Sequence, residues 1–139
     1  MAVFLNNLVG LKINSVDLSN HVKSATLTRQ FDELETTTMG ATGHTFVKGL
    51  ESSTLQVEFL NDTAASSVLQ TLQTYWGTTQ PFTMVQTTTA AVSATNPIYS
   101  GNILINHTTD INGTVADLST QSITFTVSGA TAVTPSGTF

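Results

Sequence analysis

The sequence predicts a mainly β domain covered by a single helix. Three observations carry that reading. The chain holds 27 Thr among 139 residues, and β-branched residues pack well on a pleated surface. Apolar and polar residues alternate in several short runs, the period of a half-buried strand. Only one segment, 63–76, carries an apolar stripe at helical spacing.

Val9, Leu11 and Ile13, then Val16 and Leu18, alternate on either side of Asn14-Ser15, which predicts a short hairpin with a tight polar turn or a strand with a kink. Residues 22–38 read as one extended stretch. Met39-Gly40-Ala41-Thr42-Gly43 is a glycine-punctuated tip, and His44–Lys48 returns as a strand that stops before Gly49. A long extended hairpin or loop is therefore expected over about 28–50. Thr54–Leu60 is the clearest strand, with Leu55, Val57 and Phe59 on one face. In the helix, Asp62 is the expected N-cap. Val68, Leu69, Leu72, Tyr75 and Trp76 form its buried face, and Gly77 ends it. Tyr75 and Trp76 read as core aromatics first, and as anchors of an interface second.

Pro81–Val85, Tyr99–His107 and Ser119–Ser128 supply the remaining strands. Thr87–Asn96 is a small-residue loop, and Asp110–Thr114 reads as a turn. The sum is about seven short strands, with the helix inserted before the last three. A β-sandwich or barrel with one flanking helix fits this order. Residues 1–128 form a single domain in this reading. Residues 129–139 form a Thr-, Pro- and Gly-rich tail, either disordered or docked on a neighbour.

Composition narrows the function classes. Only 9% of residues are charged, against about 25% in an ordinary soluble domain. With 27 Thr and 13 Ser, hydroxyls replace charges as the surface polar groups. Such a surface loses little on burial against another subunit, so the chain reads as one meant to assemble. Four scattered cations, Lys12, Lys23, Arg29 and Lys48, cannot grip a phosphate backbone. No window reaches the ~18–20 apolar residues of a membrane helix, so membrane insertion is not expected. Met1–Asn7 lacks the cationic and apolar regions of a secretory signal. The Asn-x-Thr triplets at Asn61, Asn106 and Asn112 then follow from Thr content alone.

Chemistry is poorly represented. The chain has no Cys, which removes disulfides and thiolate sites. His21, His44 and His107 show no metal-ligand spacing, so no metal or cofactor is expected. Asp32, Glu33 and Glu35 form the one dense acidic cluster. Paired carboxylates serve glycosidases, but those need a cleft, and a solvated hairpin edge is the plainer reading. No nucleophile elbow or P-loop occurs. The expectation is a protein without enzymatic activity.

The order of several segments resembles siphophage tail tube proteins, the major tail proteins of long non-contractile bacteriophage tails. The likeness opens with Val16-Asp17-Leu18-Ser19-Asn20-His21-Val22 and Asp32–Gly40. It continues through Gly49–Ser53, Val57–Asp62 and the Ala64–Leu72 helix. It closes with Asn96–Gly101 and Gly113–Leu118 before the final strand.

The resemblance implies a tail-tube β-sandwich or barrel. Six subunits would form a ring, and their inner sheets would join around a lumen. Stacked rings would pass double-stranded DNA without binding it specifically. Tape measure and tail terminator proteins would be partners, and the protein, made in the host cytoplasm, would reside in the virion tail. Segment 30–50 would contact neighbouring subunits or rings through Phe31, Asp32, Glu33, Leu34, Glu35, Met39, Gly40, His44 and Phe46. Asp32, Glu33, Glu35 and Glu58 are the acids assigned to the lumen. Two alternatives accompany this reading. One is another ring-forming virion protein: a tail terminator, head-tail connector, distal tail or capsid decoration protein. The other is a carbohydrate-binding β-sandwich.

Overall fold

The computed structural model describes residues 8–139, so the signal-peptide reading of Met1–Asn7 lies outside the described residues. β1 (Gly10–Ile13) and β2 (Val16–Asp17) form the expected hairpin. Asn14 and Ser15 take φ of 48° and 65°, the paired left-handed conformation of a tight type I′ turn. Ser19 locks the hairpin by accepting the Leu11 N–H at 2.9 Å.

The extended stretch over 22–38 is broken, contrary to expectation. Arg29-Gln30 separates β3 (Val22–Thr28) from β4 (Phe31–Glu35), and the two strands enter different sheets. β4 pairs with β5 (Phe46–Glu51). This return strand does not stop before Gly49 but runs through it. A Cβ on Gly49 would lie 2.7 Å from the Asp32 carbonyl oxygen. The glycine permits close strand approach; it does not end the strand.

β6 (Thr54–Leu60) follows the expected bounds and buries Leu55, Val57 and Phe59 completely. The helix is shorter than expected: α1 spans Val68–Thr74. Asp62 does not cap it. Its carboxylate accepts the Ala64 N–H at 2.9 Å, bracing a turn that precedes the helix. Ser66, at φ 59°, interrupts helical geometry before Ser67 takes the N-cap position. Val68 and Leu72 are fully buried, and Tyr75 packs partly buried on the core. Trp76 is 53% exposed, which corrects its assignment to the core. The helix ends at Thr74, so Trp76 no longer follows the buried stripe.

β7 (Thr79–Val85) and β8 (Ile98–Leu104) come next. β9 (Thr120–Thr134) is longer than expected. The strand assigned to end at Ser128 continues past Gly129, at φ 89°, to Thr134. There it pairs Ala132, Val133 and Thr134 with Ser100, Tyr99 and Ile98 of β8. The first part of the expected tail is thus part of the sheet. Beyond it, Phe139 lies beside Gly10, with the Lys12 ammonium 4.5 Å from its ring centre.

The described chain has nine strands, where about seven were expected. Seven form one curled antiparallel sheet in the order β2-β1-β7-β8-β9-β6-β3, and β4-β5 stands apart. β9 makes the curl possible: Thr120–Thr126 pair with β6, while Val127–Thr134 pair with β8. Leu11, Ile13 and Phe82 from one half of the sheet therefore share a core with Leu55, Phe59 and Phe125 from the other. The curl leaves a groove of about 430 Å³ where Ala25 and Leu27 of β3 approach Met84 and Tyr99.

Candidate assembly surface

The β4–β5 hairpin is an arm. Neither strand pairs with the main sheet, and every residue of β4 is exposed. An isolated two-stranded hairpin is at best marginally stable in water. This one also carries exposed apolar side chains. Leu34 faces Val47 across the pair, and Glu35 faces Phe46. Phe31, Leu34, Phe46 and Val47 are each about half exposed, while Leu50 and Met39 are almost entirely so. Val47 and Phe46 are adjacent in β5 and point to opposite faces, so the arm exposes apolar side chains on both faces, a feature of interaction sites.

Polar contacts fix the arm's shape at both ends. Near the tip, His44 Nδ1 and Glu35 Oε2 lie 2.6 Å apart, and the Thr37 hydroxyl donates to the same oxygen at 3.0 Å. The Thr36 N–H donates to the Thr45 carbonyl at 2.8 Å and extends the ladder beyond β4. Along the shaft, Lys48 faces Glu33 and holds its ammonium 5.4 Å from the Phe31 ring centre. At the root, the Ser52 N–H donates to the Gln30 carbonyl. Glu51 accepts the Thr131 N–H of β9 at 2.6 Å. That bond is the main reason the Glu51 carboxyl sits below its ordinary pKa, with Arg29 and Lys48 adding attraction.

A second surface is the outward face of β3, β6 and β9. Register places Ser24, Glu58 and Ser122 in one row, then Thr26, Gln56 and Thr124, then Thr28, Thr54 and Thr126. Glu58 is the one charged group in these rows. The Lys23 ammonium lies 3.6 Å from it.

The geometry brings Phe31, Asp32, Glu33, Leu34, Glu35 and Phe46 onto the arm, with Met39, Gly40 and His44 at its tip. Glu58 lies on the main sheet, away from the other three acids assigned to the lumen. Sequence reasoning missed Val47 and Leu50 as exposed contact candidates, and it missed the hydroxyl rows altogether. The signal for the rows was present in the alternating Ser and Thr of three strands. Which strands lie side by side could not be read from it. Among the described residues, no group of three His, Cys, Asp or Glu is placed to hold a metal ion. Among the same residues, no helix is long and apolar enough to cross a membrane.

The arrangement offers strand edges and an apolar arm to a macromolecular partner. No protein-family model matches the chain, and no curated protein matches it.

Proposed function

We propose that this chain is a structural, non-enzymatic subunit of a tube, of the kind that forms siphophage tails. The observation that carries this reading is the free-standing β4–β5 arm with its exposed Phe31, Leu34, Phe46 and Leu50. A hairpin that leaves this surface exposed among the described residues gains stability by burying it on another copy. Low charge supports the same reading, because few groups need be desolvated when copies meet. Among the described residues, β3 is a terminal strand of the main sheet with an unpaired edge. Edges of this kind pair with neighbouring chains, and joined edges close a ring.

The hydroxyl rows of β3, β6 and β9 suit the lumen in this reading. A wall of Ser and Thr whose one nearby cation, Lys23, is held against Glu58 offers DNA phosphates little cationic grip. Asp32, Glu33 and Glu35 on the arm add negative charge near the passage. Six copies per ring, and the tape measure and terminator partners, belong to the same proposal, as does residence in the virion.

Electron microscopy of the purified chain over a range of concentrations tests it. Hollow tubes with a regular axial repeat are the expected result. Single rings at every concentration would favour a terminator or connector role. Monomers alone would contradict assembly.

A further inference from the structure

The 105–119 connection between β8 and β9 contains no strand or helix. Its base is pinned. Buried Gln121 donates to Asn61 at 2.8 Å and accepts the Thr109 N–H at 2.8 Å. Beyond that base the loop carries Asn112-Gly113, the one Asn-Gly pair in the sequence. An asparagine amide and the next backbone nitrogen can close a five-membered ring, and the reaction is limited by how closely the two approach. Three features favour it at residue 112. Both residues are exposed. A Cβ on Gly113 would meet nothing within 4 Å, so neither a side chain nor a neighbour crowds the attacking nitrogen. Among the described residues, no backbone carbonyl holds the Gly113 N–H.

The other described asparagines are less well placed. Asn96 is buried and precedes Pro97, whose nitrogen has no hydrogen to lose. Asn102 lies within β8, which is paired on both sides. Asn20 precedes His21, whose N–H is bonded to the Leu18 carbonyl at 3.0 Å. Asn61 is held at both ends of its amide, by Ser119 and Gln121. Asn14 and Asn106 precede Ser15 and His107, whose side chains crowd the nitrogen.

The Asn112 amide also ties the loop to the sheet. Its Nδ2 donates at 2.5 Å to the carbonyl of Thr120, the first residue of β9. A carboxylate cannot donate. Conversion of Asn112 to an acid therefore sets oxygen against oxygen at this contact. It also adds a third carboxylate to a loop that holds Asp110 and Asp117.

We infer that Asn112-Gly113 is a site of self-modification that releases the 105–119 loop from the start of β9. The Gly113 nitrogen gives its proton to hydroxide and attacks Asn112 Cγ. The new C–N bond closes a succinimide, and the side-chain nitrogen leaves as ammonia. Water then opens either ring carbonyl. One opening gives aspartate; the other gives isoaspartate, in which the main chain runs through the former side chain. Water replaces ammonia overall, with no change of oxidation state. The site does not depend on how the chain assembles.

The purified full chain is incubated at physiological temperature in mildly alkaline and mildly acidic buffers made with heavy-oxygen water, then mapped by peptide mass spectrometry. Residue 112 should convert at least tenfold faster than Asn14 or Asn106, and faster in the alkaline buffer. The product should carry heavy oxygen and include isoaspartate. Gly113→Ala should slow conversion at least tenfold with an unchanged thermal midpoint, since the added methyl meets open space. A wild-type rate in Gly113→Ala, or aspartate with no isoaspartate, would overturn the inference. So would an intact Asn112 in protein whose Asn14 has converted. Limited proteolysis of Asn112→Asp reads the release. Cleavage within 110–119 should be severalfold faster than in wild type, and cleavage at the wild-type rate would show that the loop is not released.

Discussion

The Glu51 carboxylate accepts the backbone N–H of Thr131 at 2.6 Å, joining residues 80 positions apart. Glu51 closes the root of the arm, and Thr131 lies in the distal half of β9. This hydrogen bond ties the root of the arm to the sheet. Its energy depends on pH, because the folded pKa of Glu51 is lowered from the ordinary 4.5, first by this bond. A lowered carboxyl stabilises the fold fully above its ordinary value and loses that contribution as pH falls through the folded value. Asp62, lowered first by the Ala64 N–H and also by His21, acts in the same direction.

Thermal melts of wild-type protein between about pH 3 and 6 should therefore show stability falling toward the acid end. Glu51→Gln should flatten that dependence partly, since Asp62 still titrates. At neutral pH, Glu51→Ala should speed proteolysis at the arm tip, while cleavage elsewhere stays unchanged. Equal pH profiles for wild type and Glu51→Gln would show that the contact contributes nothing.

Leu34→Asp and Phe46→Asp separate assembly from folding. Both side chains are about half exposed on a strand outside the core, so each change should alter unfolding free energy by only ~0.5 kcal/mol. Each should nevertheless abolish higher oligomers in light scattering, because it places a charge inside an apolar contact. A large loss of denaturant stability would instead assign the arm a structural role within its own chain.

Phe125→Ala and Trp76→Ala test the core assignment. Phe125 is fully buried where the two halves of the sheet meet, and its loss should cost about 3–5 kcal/mol in denaturant melts. Trp76 is half exposed beyond the helix end, so its removal should cost less than ~1 kcal/mol. Comparable costs would return Trp76 to the core.

Gly10→Val addresses the end of the chain. A Cβ at Gly10 would lie 2.5 Å from the Phe139 ring and 2.6 Å from the Thr88 methyl. The variant should displace Phe139 from β1 and raise protease sensitivity of residues 135–139. Unchanged protection of those residues would show that the contact is not what holds them.

Strands with one buried face were legible from alternation. Leu55, Val57 and Phe59 read as core and are core, as do Ile123 and Phe125. The Asn14-Ser15 turn was legible as the polar break between two alternating apolar runs, but its left-handed geometry was not. Boundaries failed where local signals point one way and tertiary partners another. Gly49 and Gly129 look like breaks, but each lies inside a strand. One accommodates a neighbouring backbone, and the other sits where β9 turns from β6 to β8. Asp62 has the right chemistry for a helix cap, yet Ser66 delays the helix by several residues. Within the candidate site, Phe31, Leu34, Met39 and Phe46 were named before the arm was known, and each is exposed on it. The 105–119 loop read only as a turn, because a scattered Ile, Val and Leu carry no period. Their exposure is visible only once the sheet beneath them is built.

Assembly through the arm is tested most directly by electron microscopy of wild type beside Leu34→Asp. Wild type should form hollow tubes with a regular axial repeat, and Leu34→Asp should form none at the same concentration. Monomeric wild type at every concentration, or tubes of equal length from both proteins, would contradict it.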